Sequence, residues 1–164
     1  MDTTLAVLLG AILGGFMKLV FDGYQRKQDR KGVAAAIAGE ISATIHSANA
    51  TGLPVYFKTL SQKLKTRTPP APPWAFYDTS APRSPVAEAY MGRAGQLGSR
   101  LAQRVGHWHS TMGAIRLELK IVAAGAFDHN PAAAALRIDG ALALWDVAER
   151  EGQRLVSDLM ALSD

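Results

Sequence analysis

The side chains best suited to acid–base or metal chemistry in this chain are four histidines, and their spacing does not combine them. His107 and His109 flank Trp108 in the sequence HWH. Residues two apart on a helix point to different sides, so these two imidazoles are not expected to share a metal ion. His46 and His129 are distant in sequence, and no Glu-x-x-His or His-x-x-x-His pair occurs. The pattern predicts exposed or partly buried histidines without a metal.

Other residues that could do chemistry lack the context they need. Glu40 lies beside an isoleucine stripe, which suits a solvated flank or a bond to a basic residue. The glycines of MGRAGQLG follow no predicted strand, so a phosphate loop is not indicated. Cysteine is absent, which excludes thiol nucleophiles and thiolate metal sites. We therefore expect no enzyme, no cofactor and no metal, although an enzyme with a site built from scattered residues stays open.

The element that positions the rest of the chain is the apolar run TLAVLLGAILGGFM at residues 4–17. Residues 3–21 contain Lys18 as their only charge. A helix of that length covers about 28 Å, close to the hydrocarbon thickness of a bilayer. The run predicts one transmembrane span, with residues 1–24 as a membrane anchor. A cleavable signal peptide and a buried core helix are the alternatives.

The charges around this run indicate its orientation. A basic collar follows it, and it consists of Lys18, Arg26, Lys27, Arg30 and Lys31. Before the run there is only one charged side chain, Asp2. The positive-inside rule then places the C-terminal bulk in the cytoplasm and the N-terminus outside, as in a single-pass protein of the bacterial inner membrane. The bilayer is the first predicted partner.

Small residues recur every four positions within the run, at Ala6, Gly10 and Gly14. In lipid, this spacing lets two helix backbones approach closely. It indicates a packing face for another transmembrane subunit or for a second copy, although glycine is frequent enough in such helices for the motif to arise by chance.

Two helices and a connector are predicted next. Residues 32–48 carry isoleucines on one stripe, and this helix could continue the span with bends at Gly23 or Gly32. Residues 54–65 place their large apolar side chains on one side, with Ser61 and three lysines on the other. This second helix could lie among lipid headgroups or pack on the domain. Residues 66–84 are proline-rich and predict an extended connector, or a ligand for an aromatic groove.

The last part of the chain predicts an antiparallel helical hairpin. Ser84 and Pro85 suit a helix start, and Ser99 suits the cap of the next helix. Gly125 suits a helix end, and Asn130 with Pro131 suits the start of the last helix. Apolar residues alternate spacings of three and four in both helices, which is typical of packed seams. A turn near Asp128 would place Trp108 opposite Ala148 and Gly152. The seam residues are Leu101, Val105, Trp108, Met112, Ile115, Leu119, Ala141, Trp145, Ala148, Gly152 and Leu155.

The fold class that follows is all-α, with one N-terminal transmembrane helix and a small cytoplasmic helical bundle that contains the hairpin. Its parts are the anchor (1–24), the basic collar and amphipathic helices (25–65), the connector (66–84) and the hairpin region of the same domain (85–164). Residues 58–116 are rich in basic side chains, whereas residues 117–164 are acidic. These two regions could face each other within one fold, or the basic one could face a partner.

The favoured function is a non-catalytic, membrane-anchored interaction protein, an accessory or scaffold subunit of a membrane complex. The alternative is a membrane-tethered adaptor that binds nucleic acid or anionic lipid through residues 58–116, with nucleic acid as the less favoured partner. The apolar span, the basic collar, the helix start AAAIAGEI and the later LGSRLAQRVGHWHS resemble a loose group of short single-pass bacterial membrane proteins without an assigned activity. This resemblance implies the anchored topology and carries over no functional residues.

Overall fold

The computed structural model describes residues 3–66, 89 and 92–163, and describes side chains from residue 17 onward. The described residues form helices and turns and contain no strand, which confirms the all-α class. Two sequence predictions lie outside this description: the small-residue face at Ala6, Gly10 and Gly14, and the helix start at Ser84 and Pro85. The connector of residues 66–84 also lies outside it, apart from Thr66.

Four α-helices and one 3-10 helix make up the described fold. They are α1 (Thr3–Ala50), α2 (Leu53–Lys65), the 3-10 helix (Ala94–Leu97), α3 (Ser99–Ala123) and α4 (Pro131–Ser163). The first helix continues through Gly23 and Gly32 without a break, as the lack of proline there allowed. Its 48 residues correspond to about 72 Å of helix.

A left-handed glycine separates α1 from α2. Gly52 has φ of 67°, a backbone conformation that costs a residue with a side chain roughly 1–2 kcal/mol. The Thr51 hydroxyl donates to the Ser47 carbonyl at 2.7 Å, which helps to close the end of α1. Pro54 then stands in the first turn of α2, where no intrahelical N–H donor is needed.

Helix α4 is the centre against which α1, α2 and α3 pack. Asn49 on α1 donates to Glu149, and Ser61 on α2 donates to Asp139. Later positions on α1 and α2 thus pair with earlier positions on α4. Helices α1 and α2 therefore run end to end and antiparallel to α4. Together they cover α4 as one interrupted helix would.

The expected hairpin is formed by α3 and α4. Trp108 meets Ala148, Arg104 meets Glu151, and Arg137 meets Glu118, so the two helices are antiparallel in the predicted register. The Asn130 carboxamide accepts the Ala133 N–H at 3.1 Å, which confirms the N-terminal cap of α4. The turn begins at Gly125, whose φ of 79° suits glycine.

The start of α3 differs from the prediction. Gly98, with φ of 91° and ψ of 152°, is the N-cap, and no side-chain cap bond is present. The prediction of Ser99 as the cap is therefore wrong, because Ser99 already lies within the helix. Before it, the chain forms the short 3-10 helix and buries Ala94 and Leu97.

Candidate functional site

The N-terminal part of α1 extends beyond the bundle as an arm. Among residues 17–24, Leu19 is 73% exposed and Phe21 is 65% exposed, and Met17, Val20 and Tyr24 are also exposed. Successive helical positions are about 100° apart, so Met17, Val20, Phe21 and Tyr24 share one face of the helix, whereas Lys18 and Asp22 lie on the other. An exposed apolar face of this kind is typical of a surface that contacts lipid or protein.

The basic collar is divided between the arm and the bundle. Lys18, Arg26 and Lys27 are exposed on the arm. In contrast, Arg30 donates to the Leu97 carbonyl at 3.3 Å, and Lys31 is partly buried. Arg30 and Lys31 therefore lie where α1 enters the bundle beside the 3-10 helix, and contact of the collar with lipid headgroups stays a prediction.

The predicted seam residues lie in the interior of the bundle. All of them are buried except Leu101, which packs on the core while partly exposed. The Trp108 indole N–H donates to the Ala148 carbonyl at 2.8 Å, and Gly152 lies against the same ring. The predicted pairing of Trp108 with these two small residues is confirmed. The seam is thus occupied within this chain.

His107 and His109 face different sides of α3, as their spacing required. His107 lines a groove between α3 and α4, whereas His109 is half buried toward Glu40 of α1. Burial lowers the pKa of His109, and Arg116 lowers it further, while the Glu40 carboxylate opposes both effects. One oxygen of Glu40 is buried without a hydrogen-bond partner in the described structure, so a fully solvated Glu40 is not what the fold shows.

A polar cluster that the sequence reading missed joins α2 to α4. Ser61 is only 1% exposed, so its assignment to the polar side of α2 is wrong. Its hydroxyl donates to one Asp139 oxygen at 2.5 Å, and Lys65 contacts the other oxygen at 2.6 Å. The spacing of Ser61 four residues after Phe57 and three before Leu64 was the available signal, because it places the serine on the buried face.

The electrostatics of this cluster indicate a structural role. Lys65, followed by Ser61, holds the pKa of the Asp139 carboxyl below its usual value. A nucleophilic serine needs a base beside it and access to substrate. The Ser61 hydroxyl is instead enclosed and committed to a carboxylate that stays ionised. The cluster fixes α2 on α4 and offers no reactive group.

Basic and acidic parts of the chain pair inside the fold. Arg104 on α3 contacts Glu151 at 2.8 Å and Asp158 at 2.5 Å on α4. The hydrogen bond to Asp158, and then the one to Glu151, raise the pKa of the Arg104 guanidinium. With Lys65 and Asp139, these pairs show the basic middle facing the acidic end. Some of the basic side chains of residues 58–116 are thus paired with acidic side chains of residues 117–164 within the molecule.

Among the described residues, no cluster of three or more His, Asp or Glu side chains could hold a metal ion. No helix in the described part of the chain is long and apolar enough to cross a membrane. The side chains of residues 3–16, most of the predicted span, fall outside that part. No protein-family model, curated protein or solved structure matches this chain.

Proposed function

We propose that this protein is a non-catalytic, membrane-anchored interaction protein, an accessory or scaffold subunit of a complex in the bacterial inner membrane. The observation that carries the proposal is the arm of α1. Its exposed apolar side chains at residues 17–24 continue the apolar run of residues 4–17, and exposed Arg26 and Lys27 follow directly. This order of apolar and basic residues matches hydrocarbon and then cytoplasmic headgroups.

The continuity of α1 supports a scaffold role. The same helix that carries the anchor enters the bundle and packs against α4, without a glycine or proline linker between the two parts. Arg30 ties this entry point to the 3-10 helix. The bundle would therefore be held at a fixed distance from the bilayer, which suits a protein that positions partners.

The test of the anchor is membrane fractionation of the full chain. We expect it to stay with membranes after high-salt and carbonate washes, because salt screens charge contacts but does not weaken hydrocarbon burial. A variant lacking residues 1–24 should appear in the soluble fraction. A C-terminal reporter should be active in the cytoplasm. Soluble full-length protein, or a reporter active only in the periplasm, would contradict the proposal.

The test of the partner uses the small-residue face. Gly10→Ile or Gly14→Ile should reduce recovery of co-purifying membrane subunits, or of a second tagged copy, while insertion persists, because a β-branched side chain blocks close approach. Leu8→Ile is the matched control, since residue 8 lies on the opposite side of the helix. Equal recovery for all three variants would exclude this face as the contact.

A second candidate function is adhesion of the bundle to anionic lipid. Arg93 and Arg100 are exposed at the end of the bundle where Arg30 meets the 3-10 helix, so they lie with the collar near the arm. Cations in that position would face the headgroups. Binding of the variant lacking residues 1–24 to anionic vesicles should fall steeply with salt. Binding to nucleic acid in place of vesicles would favour nucleic acid over anionic lipid as the partner of the adaptor.

A further inference from the structure

A groove of about 200 Å³ lies between α3 and α4, on the edge of the seam at mid-length. His107 and Thr111 line it from α3, and Arg150, Glu151 and Arg154 line it from α4. Trp108 and Ala148 also border it, and the bond between the indole N–H and the Ala148 carbonyl holds that ring inward. The groove forms where the large Trp108 side chain packs on the small Ala148. The groove belongs to neither the arm nor the headgroup-facing end.

The charges of this groove are unbalanced toward positive. Its one carboxylate, Glu151, is already engaged by Arg104 at 2.8 Å. Arg150 uses its Nε to donate to the Asp146 carbonyl, which leaves its two terminal nitrogens as donors. No hydrogen bond or ion pair joins Arg154 to another residue that the structure describes. Two arginines four apart on one helix repel each other, and an anion between them would relieve that repulsion.

Guanidinium groups bind phosphate with paired, charge-assisted hydrogen bonds, and the His107 imidazole could supply another donor. The volume limits what can enter. Pockets for drug-sized ligands usually measure about 300–1,000 Å³, so this groove suits a phosphate group with a small substituent. We propose that the groove is a binding site for dianionic phosphate, either inorganic or carried as a monoester by a small molecule. A phosphate diester offers only one negative charge and is expected to bind less well.

The experiment is a titration of the full chain in a phosphate-free maltoside detergent. The readout is the chemical shift of the arginine side-chain N–H groups in NMR spectra. Inorganic phosphate and glycerol phosphate should shift the Arg150 and Arg154 signals saturably, with a Kd on the order of 1 mM. Sodium chloride at the same ionic strength should not shift these signals saturably. Shifts that are equal for chloride, or that never saturate, would overturn the proposal.

Variants separate this site from general attraction to a basic protein. Arg154→Gln should weaken phosphate binding about tenfold or more, because it removes charge-assisted hydrogen bonds. Arg137→Gln is the control: it removes the same charge from the same helix at a residue that pairs with Glu118, away from the groove. Equal weakening in both variants, or none in Arg154→Gln, would refute the site. Tighter binding of dimethyl phosphate than of glycerol phosphate would also refute it.

Discussion

At the scale of single residues, Trp108 lies where α1, α3 and α4 meet. It is 2% exposed, its indole N–H donates to the Ala148 carbonyl of α4, and its ring lies against Gly152, which also approaches Ile41 and Ile45 of α1. One side chain thus fills the space among three helices. Its indole N–H has a partner there, as a buried donor requires.

Trp108→Ala should lower the free energy of unfolding by about 3–5 kcal/mol, because it removes a large buried ring. Trp108→Phe keeps most of the apolar contact and should cost less. Leu117→Ala, at an exposed position of the same helix, is the control and should change stability by about 0.5 kcal/mol or less. Urea unfolding followed by circular dichroism measures all three. A Trp108→Ala loss no larger than that of Leu117→Ala would place the ring outside the core.

Asp139 predicts a specific dependence of stability on pH. Its pKa is lower in the folded chain than the usual 3.8, so its contribution is complete at neutral pH. The contribution is lost as pH falls through the lowered folded value. Asp139→Asn should therefore be less stable at pH 7, by about 1 kcal/mol or less because the pair is partly exposed. The difference should shrink as pH falls below the usual value of 3.8 and through the lowered folded pKa. Asp146→Asn, at an exposed position, is the control, and a gap that persists at low pH would contradict the mechanism.

At the scale of elements, α4 packs against three helices, and several of its inward positions are small. Gly152 and Ala148 face Trp108, and Ala134 and Ala135 are fully buried nearer its start. Small residues let neighbouring helices approach, while the larger partners fill the remaining space. The end-to-end arrangement of α1 and α2 along α4 follows from the left-handed turn at Gly52.

Two glycines of α4 should respond to alanine with opposite signs. A Cβ on Gly152 would lie 2.7 Å from the Trp108 Nε1 and 2.7 Å from the Ile45 Cδ1. The isoleucine tip can move, but the ring is held by its hydrogen bond, so Gly152→Ala should destabilise by about 1–3 kcal/mol. Gly140 has nothing within 4 Å of that position, and Gly140→Ala should stabilise by up to about 1 kcal/mol. Thermal melts compare them, and the same sign for both would refute the packing at Gly152.

At the scale of the whole molecule, an arm with apolar and basic side chains extends from a bundle whose core is formed without the arm. The side chains of residues 17–30 are exposed except for the partly buried Asp22, whereas burial begins in earnest at Val33. The arm should therefore contribute little to the folding of the bundle. Under the proposed function, the arm would anchor the chain and the bundle would bind its partners.

Removal of residues 1–28 should leave a soluble bundle with cooperative unfolding close to that of the full chain in detergent. Removal of residues 1–37 is the matched comparison, because it also deletes Val33, Ala34 and Ile37 from the core. That loss should cost several kcal/mol, at about 1.5–3 kcal/mol for each large apolar side chain. Circular dichroism during urea unfolding reports both. Equal stability of the two fragments would mean that α1 does not complete the core.

Much of this fold followed from the sequence because helical periodicity is local. The seam spacing on both sides of Gly125 predicted α3, α4 and their antiparallel register, and the Asn130 cap was equally readable. The isoleucine stripe identified the buried face of α1. These features depend on residues within two turns of one another, together with a short turn that leaves few ways to pair.

The tertiary structure alone decided which polar groups meet. Ser61 and Asp139 are 78 residues apart. The spacing of Ser61 from Phe57 and Leu64 places it on the buried face of α2, but it does not identify Asp139 as the partner. The same holds for Arg30 beneath the 3-10 helix, for Glu40 beside His109 and for the groove at Arg154. A hydrogen bond or an ion pair needs particular atoms at particular distances, which only the packing of distant helices sets. The sequence determined the helices and their apolar faces, and the packing determined the polar contacts between them.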